Sequence, residues 1–252
     1  MPGWWQDLTD LVLPAECGGC GRPRTALCAR CREALCGRAP GRVSPDPRPP
    51  GLPVVHAAAP YEDAVRALLL AHKERGALGL AGPLGAGLAG AVWAGLRGVR
   101  GETQVLLVPV PSARGAVRAR GHDPVRRIAL AAAGELRRGG TPARVLCVLR
   151  QRRAVADQSG LNSRQRQVNL RGALEVTAGG GRLIAGGGRV VVVDDLMTTG
   201  ASLVEAARAI RDAHTESEKR AVVVTAREIP CENTITAAVV ASSPDSFGIN
   251  RN

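Results

Sequence analysis

Aromatic side chains are nearly missing from this 252-residue chain: Phe247 and Tyr61 are its only phenylalanine and tyrosine. Proteins that hold single strands by stacking bases need a platform of such rings, so that mode of binding is disfavoured. Lysine is equally scarce, since Lys73 and Lys219 are the only two among 34 basic residues. An arginine-only bias beside abundant alanine and glycine reads as a GC-rich coding sequence. The net charge of +12 is therefore discounted as a sign of nucleic-acid binding, although it favours phosphate-bearing ligands in general. Also lacking is a cationic stretch that leads into an apolar run and a small-residue cleavage site, so a cytoplasmic protein is expected. No internal repeat of useful length is present. One uncharged stretch, Ala77 to Leu96, is nominally long enough to cross a bilayer. Glycine and alanine dominate it, Pro83 interrupts it and leucine is sparse, so the expectation is a buried helix starting near Pro83 and no membrane span.

A chain of this length can bury one full α/β core and carry a small appendage. Trp4 to Leu13 suits a short docking helix. Five cysteines follow between Cys17 and Cys36, and Gly37 to Pro53, rich in proline, glycine and arginine, reads as a linker. Expected units are therefore an N-terminal helix and cysteine module over 1–36, a linker over 37–53, a main domain over 54–241 and a disordered tail over 242–252. Within the main domain, strands are expected at Val54–Ala58, Val105–Val110, Val145–Leu149, Val190–Val193 and Ala221–Thr225. Helices are expected from Tyr61 to about Glu74, from Pro124 behind an Asp123 cap, and over Ala201–Ala213. That alternation predicts a doubly wound α/β fold with a parallel sheet.

Cys17 and Cys20 form one C-x-x-C pair and Cys28 and Cys31 another. Two such turns can aim four thiolates at one point, the tetrahedral shell that a structural zinc ion prefers. With four protein ligands the ion has no open position, so its role is structural. Disulfides fit a reduced compartment poorly; a redox role and a partner-binding ribbon are the alternatives. Cys36 is a spare thiol, and lone Cys147 and Cys231 read as small buried hydrophobes.

The most informative segment is RVVVVDDLMTTGAS, Arg189 to Ser202. An apolar strand delivers Asp194 and Asp195 at its carboxyl edge, where open α/β sheets bind ligands, and carboxylates there can accept hydrogen bonds from sugar hydroxyls. Thr198, Thr199, Gly200, Ala201 and Ser202 then offer hydroxyls and backbone N–H groups at a helix start, a seat for a phosphate. The bland alternative is a strand end followed by an ordinary helix cap.

This segment resembles the phosphoribosyl diphosphate (PRPP) signature of type I phosphoribosyltransferases. Within that group the chain resembles the ComF family of competence-associated proteins over nearly its whole length. The paired cysteines resemble its zinc finger, YEDAVRALLLAHKERG its tyrosine-to-lysine helix, VPVPSARGAVRARGHDP its VPVP-to-RGFNQ segment, and RRAVADQSGLNSRQRQVNL its hood. The resemblance implies a type I phosphoribosyltransferase-like fold, a Rossmann-like parallel sheet with a flexible hood, plus the four-cysteine zinc module.

It also implies roles. Asp194 and Asp195 would hold ribose hydroxyls, and Thr198 to Ser202 the 5′-phosphate. The turn after Val110 would take the diphosphate, with Arg114, Arg118 and Arg120 supplying charge. Arg153, Gln158, Arg166 and Asn169 match the hood, which would close over the reacting centre; Arg153 and Gln158 join the acidic pair as residues expected to serve the chemistry. Magnesium would arrive with PRPP. The family's RGFNQ is RGHDP here, and its hood threonine is Val155. Purine-salvage relatives place a carboxylate where Thr198 stands, which disfavours purine salvage. Two functions follow: a transferase that moves a phosphoribosyl group with release of diphosphate, or a non-catalytic factor binding nucleotides or single-stranded DNA for uptake or repair. Partners would be PRPP or another phosphoribosyl ligand, single-stranded DNA, or proteins of the competence machinery.

Overall fold

The structure, a computed structural model, describes residues 16–98, 104–153, 163–221 and 235–250. In chain order the elements are α1 (Ala29–Cys36), β1 (Gly41–Val43), β2 (Val54–Pro60), α2 (Asp63–Glu74), a 3-10 turn (Leu78–Leu80) and α3 (Ala81–Leu96). Next come β3 (Val105–Pro109), α4 (Arg114–Arg120), α5 (Pro124–Arg138), β4 (Ala143–Val145), β5 (Leu149–Gln151), α6 (Ser163–Leu170) and β6 (Leu174–Val176). The chain continues through α7 (Gly180–Ala185), β7 (Arg189–Met197), α8 (Ala201–Ala221), β8 (Thr236–Ser242) and a final 3-10 turn (Pro244–Asn250).

Six strands form the main sheet in the order β1-β2-β8-β7-β3-β4. All neighbours are parallel except the β1 edge, which runs antiparallel to β2. Every residue of β3 and β8 is buried, as expected of a parallel sheet covered on both faces. Alternation decides the layers. Val105, Leu107, Val191, Val193, Ala238 and Val240 pack with α2, α3 and α5. Leu106, Val108, Val190, Val192, Ala237 and Val239 pack with α7 and α8 on the other face. The doubly wound α/β expectation is met in this form: a mostly parallel sheet between two helical layers.

The chain reverses between β3 and β7. From β3 it moves outward to β4, and from β7 it moves the opposite way to β8, so the carboxyl ends of β3 and β7 open a crevice of the kind that takes ligands in such folds. Register fixes what faces it: Pro109 pairs with Val193, and the Val110 N–H donates to Val193 O at 2.9 Å. Asp194 therefore lies beside the turn after Val110, while β7 continues to Met197 along β8.

The glycine-alanine stretch is a helix crossing another helix closely. A Cβ built on Gly85 would stand 2.5 Å from Ala131 Cβ and 2.8 Å from Ala132 N, a contact only glycine permits. Leu78–Leu96 is long and apolar enough by length and composition to cross a membrane, but Leu84 and Leu88 are fully buried in the core. The α3 helix begins at Ala81, before Pro83, because the first turn needs no hydrogen bond from its N–H groups.

Several expectations are corrected. Residues 37–53 are more than a linker: Gly41–Val43 is an edge strand, and Val43 and Leu52 are buried. Proline and glycine hide a three-residue strand whose only signal is one valine. The tail is ordered over Pro244–Asn250, because Ser246 is buried and Phe247 packs on the second core. Val145–Leu149 splits between β4 and β5, and Cys147 between them is exposed rather than buried. The strand expected at Ala221–Thr225 lies outside the described residues apart from Ala221, the end of α8; Trp4–Leu13 and Cys231 lie outside them too. Strand β8 closes the β-α-β unit after β7. Its TAAVVAS sequence has too little bulk and too little polarity to show a strand pattern.

Candidate functional site

The sheet's switch point carries a cavity of about 440 Å³. Asp194, Asp195, Ser112, Arg120, Thr198 and Ser202 line it, and Lys73 joins them from the end of α2. Both carboxylates are buried, Asp194 at 9% and Asp195 at 6% exposure. Asp194 Oδ1 accepts the Asp195 N–H at 2.9 Å, and Asp195 Oδ2 accepts from Lys73 Nζ at 2.9 Å. Burial and the neighbouring Asp195 charge raise the Asp194 carboxyl well above the usual range, against the pull of Lys73. Burial pulls the Lys73 ammonium down, but the charge and hydrogen bond of Asp195 outweigh it, and the ammonium is raised. The pair thus stores one uncompensated acid beside one compensated acid.

Gly200 has φ +73°, the left-handed conformation that glycine adopts freely. Leu52 presses on its open side, 2.9 Å from where a Cβ would lie, so the segment read as a linker braces the turn. Thr198 and Ser202 face the cavity, Thr199 and again Thr198 line a second hollow beneath the Pro45–Pro50 segment, and Ala201 is buried. The Thr199 hydroxyl accepts from Ala201 N at 3.5 Å.

The expected basic residues divide. Arg120 lines the cavity, is held by Glu74 at 3.2 Å and has a buried Nη1 with no hydrogen-bond partner. Arg114 and Arg118 are exposed on α4 and do not line the cavity. Arg166 on α6 donates to Thr198 Oγ1 at 3.2 Å, and its buried Nε lacks a partner. Arg153 instead donates to the Asn169 and Arg171 carbonyls at 2.7 and 3.0 Å. Arg153 thereby ties the end of β5 to the end of α6, and neither it nor Asn169 lines the cavity. Gln158 and Val155 lie outside the described residues. The β5–β6 ribbon is tied to α8 by Glu205, which accepts the Leu174 N–H at 3.0 Å and pairs with Arg208 at 2.7 Å.

Two residues absent from the expected set complete the site. Lys73 was signalled by rarity, a lysine kept where the chain otherwise uses arginine. His72, beside it, is buried edge-on against His122, with ring centroids 5.7 Å apart. His122 Nε2 lies 3.2 Å from the His72 carbonyl and Nδ1 3.1 Å from the Arg120 carbonyl. The histidine of RGHDP therefore joins α4 to α2. Asp123 caps α5 through the Arg126 N–H at 3.1 Å and accepts from the Ser112 hydroxyl at 3.4 Å, holding the turn after β3.

The second centre is the cysteine cluster. The sulfurs of Cys17, Cys20, Cys28 and Cys31 all lie within 4.8 Å of one another, and none is in a disulfide. Zinc–sulfur bonds of about 2.3 Å in a tetrahedron set sulfurs about 3.8 Å apart, and Cys20 and Cys28 stand at 3.6 Å. Burial raises the Cys17 thiol, but amide donors from Cys28, Gly19 and Cys20 outweigh it and bring the value to about 6, whereas burial and the neighbouring sulfurs raise the Cys31 thiol. The cluster fits a metal ion such as zinc. Cys36 is exposed and outside it. Its surroundings are core: Leu27 and Leu35 pack in one cluster with Leu68 and Leu80, and a Cβ on Gly18 would stand 2.7 Å from Leu80 Cδ1. The module is fused to α2, the helix that carries Lys73.

No protein-family model matches this chain, and no curated protein matches it either.

Proposed function

We propose that the chain is a phosphoribosyl-binding protein of the ComF type, which takes PRPP at the crevice between β3 and β7. The observation that carries this reading is the convergence on one cavity of a buried acidic pair, a hydroxyl-lined turn at a helix start, and cations from separate elements. Carboxylates suit sugar hydroxyls, and the turn suits a phosphate. Ser112, Arg120 and Lys73, which line the same cavity, suit the diphosphate.

In this reading Asp194 and Asp195 orient the ribose, Thr198 and Ser202 hold its 5′-phosphate with Arg166 above them, and Arg120 meets the diphosphate as the anomeric C–O bond breaks. The leaving diphosphate takes the bonding electrons, and an acceptor's lone pair forms the new bond at the anomeric carbon, whose positive charge builds in between. Magnesium, when bound with the diphosphate, shares its negative charge. The hood keeps water out, and Glu205 fixes its base. The cysteine cluster holds zinc as a structural ion, and free thiols suit a cytoplasmic setting.

Calorimetry with PRPP and magnesium tests this. Wild-type protein is expected to bind, and the double variant Asp194→Asn, Asp195→Asn to lose at least about 10-fold in affinity. Release of diphosphate with a candidate acceptor would show transfer. Steeply salt-dependent binding of single-stranded DNA without any PRPP binding would overturn the reading in favour of a nucleic-acid factor.

A further inference from the structure

The last turn of α2 places three consecutive residues against three parts of the site. His72 offers its carbonyl to His122, Lys73 holds Asp195 at 2.9 Å, and Glu74 holds Arg120 at 3.2 Å. Lys73 and Arg120 are thus two cations that line one cavity, each with a carboxylate partner. The two pairs differ. Asp195 is 8% exposed at its side chain and Lys73 36%, so the carboxylate is buried while the ammonium is the more exposed of the two.

Resting on the phosphoribosyl reading, we propose that Lys73 is an exchangeable counter-cation. It neutralises Asp195 when the cavity is empty and transfers its ammonium to the diphosphate of an entering ligand, releasing the Asp195 carboxylate to the sugar hydroxyls. Two arguments support the exchange. An ammonium on a four-carbon stem can swing between acceptors, whereas a planar guanidinium is committed to its fork; Lys73 is one of only two lysines in the chain. A buried acid pair with no cation would repel a polyanion, and an ammonium bound permanently to Asp195 would block the hydroxyls, so only an exchanging cation serves both states. The specificity consequence is that the site favours ribose phosphates bearing a second anionic group at the anomeric carbon over plain ribose 5-phosphate.

Binding of PRPP and of ribose 5-phosphate is compared by calorimetry, with and without magnesium, for wild type, Lys73→Met and Lys73→Arg. Removing the ammonium is expected to weaken PRPP at least about 10-fold and ribose 5-phosphate less than about 3-fold. The gain that magnesium gives PRPP should grow in Lys73→Met, and Lys73→Arg should recover part of the PRPP loss. Equal losses for both ligands would mean that Lys73 only supports the fold, and an unchanged PRPP affinity would remove it from the site. Either result overturns the exchange and leaves the phosphoribosyl reading standing. Wild-type protein that binds neither ligand overturns both.

Discussion

The cysteine cluster and the acidic pair gather like groups in opposite ways. Four thiols lie within 4.8 Å of one another, whereas in the acidic pair Asp195 has Lys73 placed at 2.9 Å. The first arrangement suits an ion from outside; the second carries its own cation, which we propose it exchanges. On that reading one centre keeps what it binds and the other exchanges it. Their neighbourhoods agree. Cys31 and Leu35 are sealed into the core with Leu68 and Leu80, while the acids open onto a cavity at the sheet's switch point.

Loss of metal should be felt most strongly on the cysteine side. Elemental analysis should find one zinc per chain, and chelation or Cys31→Ser should lower Tm by about 10 °C or more, since structural zinc sites contribute many kcal/mol of folding free energy. The loss should reach the cavity as well, because α2 is shared. A chain without stoichiometric metal and with unchanged Tm after chelation would make the cluster an ordinary set of buried thiols.

A smaller effect sharpens the acidic side. The Asp194 carboxyl is raised by burial and by Asp195, so the folded state disfavours its ionised form. That contribution to stability is fully present below the ordinary aspartate range near pH 4 and is lost as pH rises toward the raised folded value. Asp194→Asn should therefore flatten the fall of Tm with pH and raise Tm at pH 7 by about 2–4 °C, while weakening PRPP. A variant less stable at pH 7 than wild type would show that the carboxylate is fully satisfied by its protein neighbours.

These two centres also mark how far the sequence can be read. The four cysteines, the acidic pair and the Thr-Gly turn lie in short segments, where the chemistry and its spacing are neighbours in the chain. The cations are different: Lys73 is 122 residues from Asp195, and Arg166 is 32 from Thr198. Charge alone could not separate Arg120, in the cavity, from Arg114 and Arg118, exposed on the same helix, because a short helix has no apolar stripe to fix its facing. Strand β8 escaped because alanines buried on both faces leave no alternation. Leu52 escaped because its partner, Gly200, is far along the chain.

The smallest effect concerns the second held cation. Glu74 is half exposed, and its pair with Arg120 at 3.2 Å is of the kind that adds at most about 1 kcal/mol. Glu74→Gln should therefore leave Tm within about 2–4 °C of wild type. It also frees a guanidinium whose Nη1 already lacks a partner, so affinity for PRPP should rise about 2-fold at low salt and fall back toward wild type as ionic strength screens the charge. If both cations are held in reserve for an anion, removing the holder helps the ligand. Should Glu74→Gln instead weaken PRPP as Lys73→Met does, Glu74 positions Arg120, and only Lys73 remains an exchanging cation.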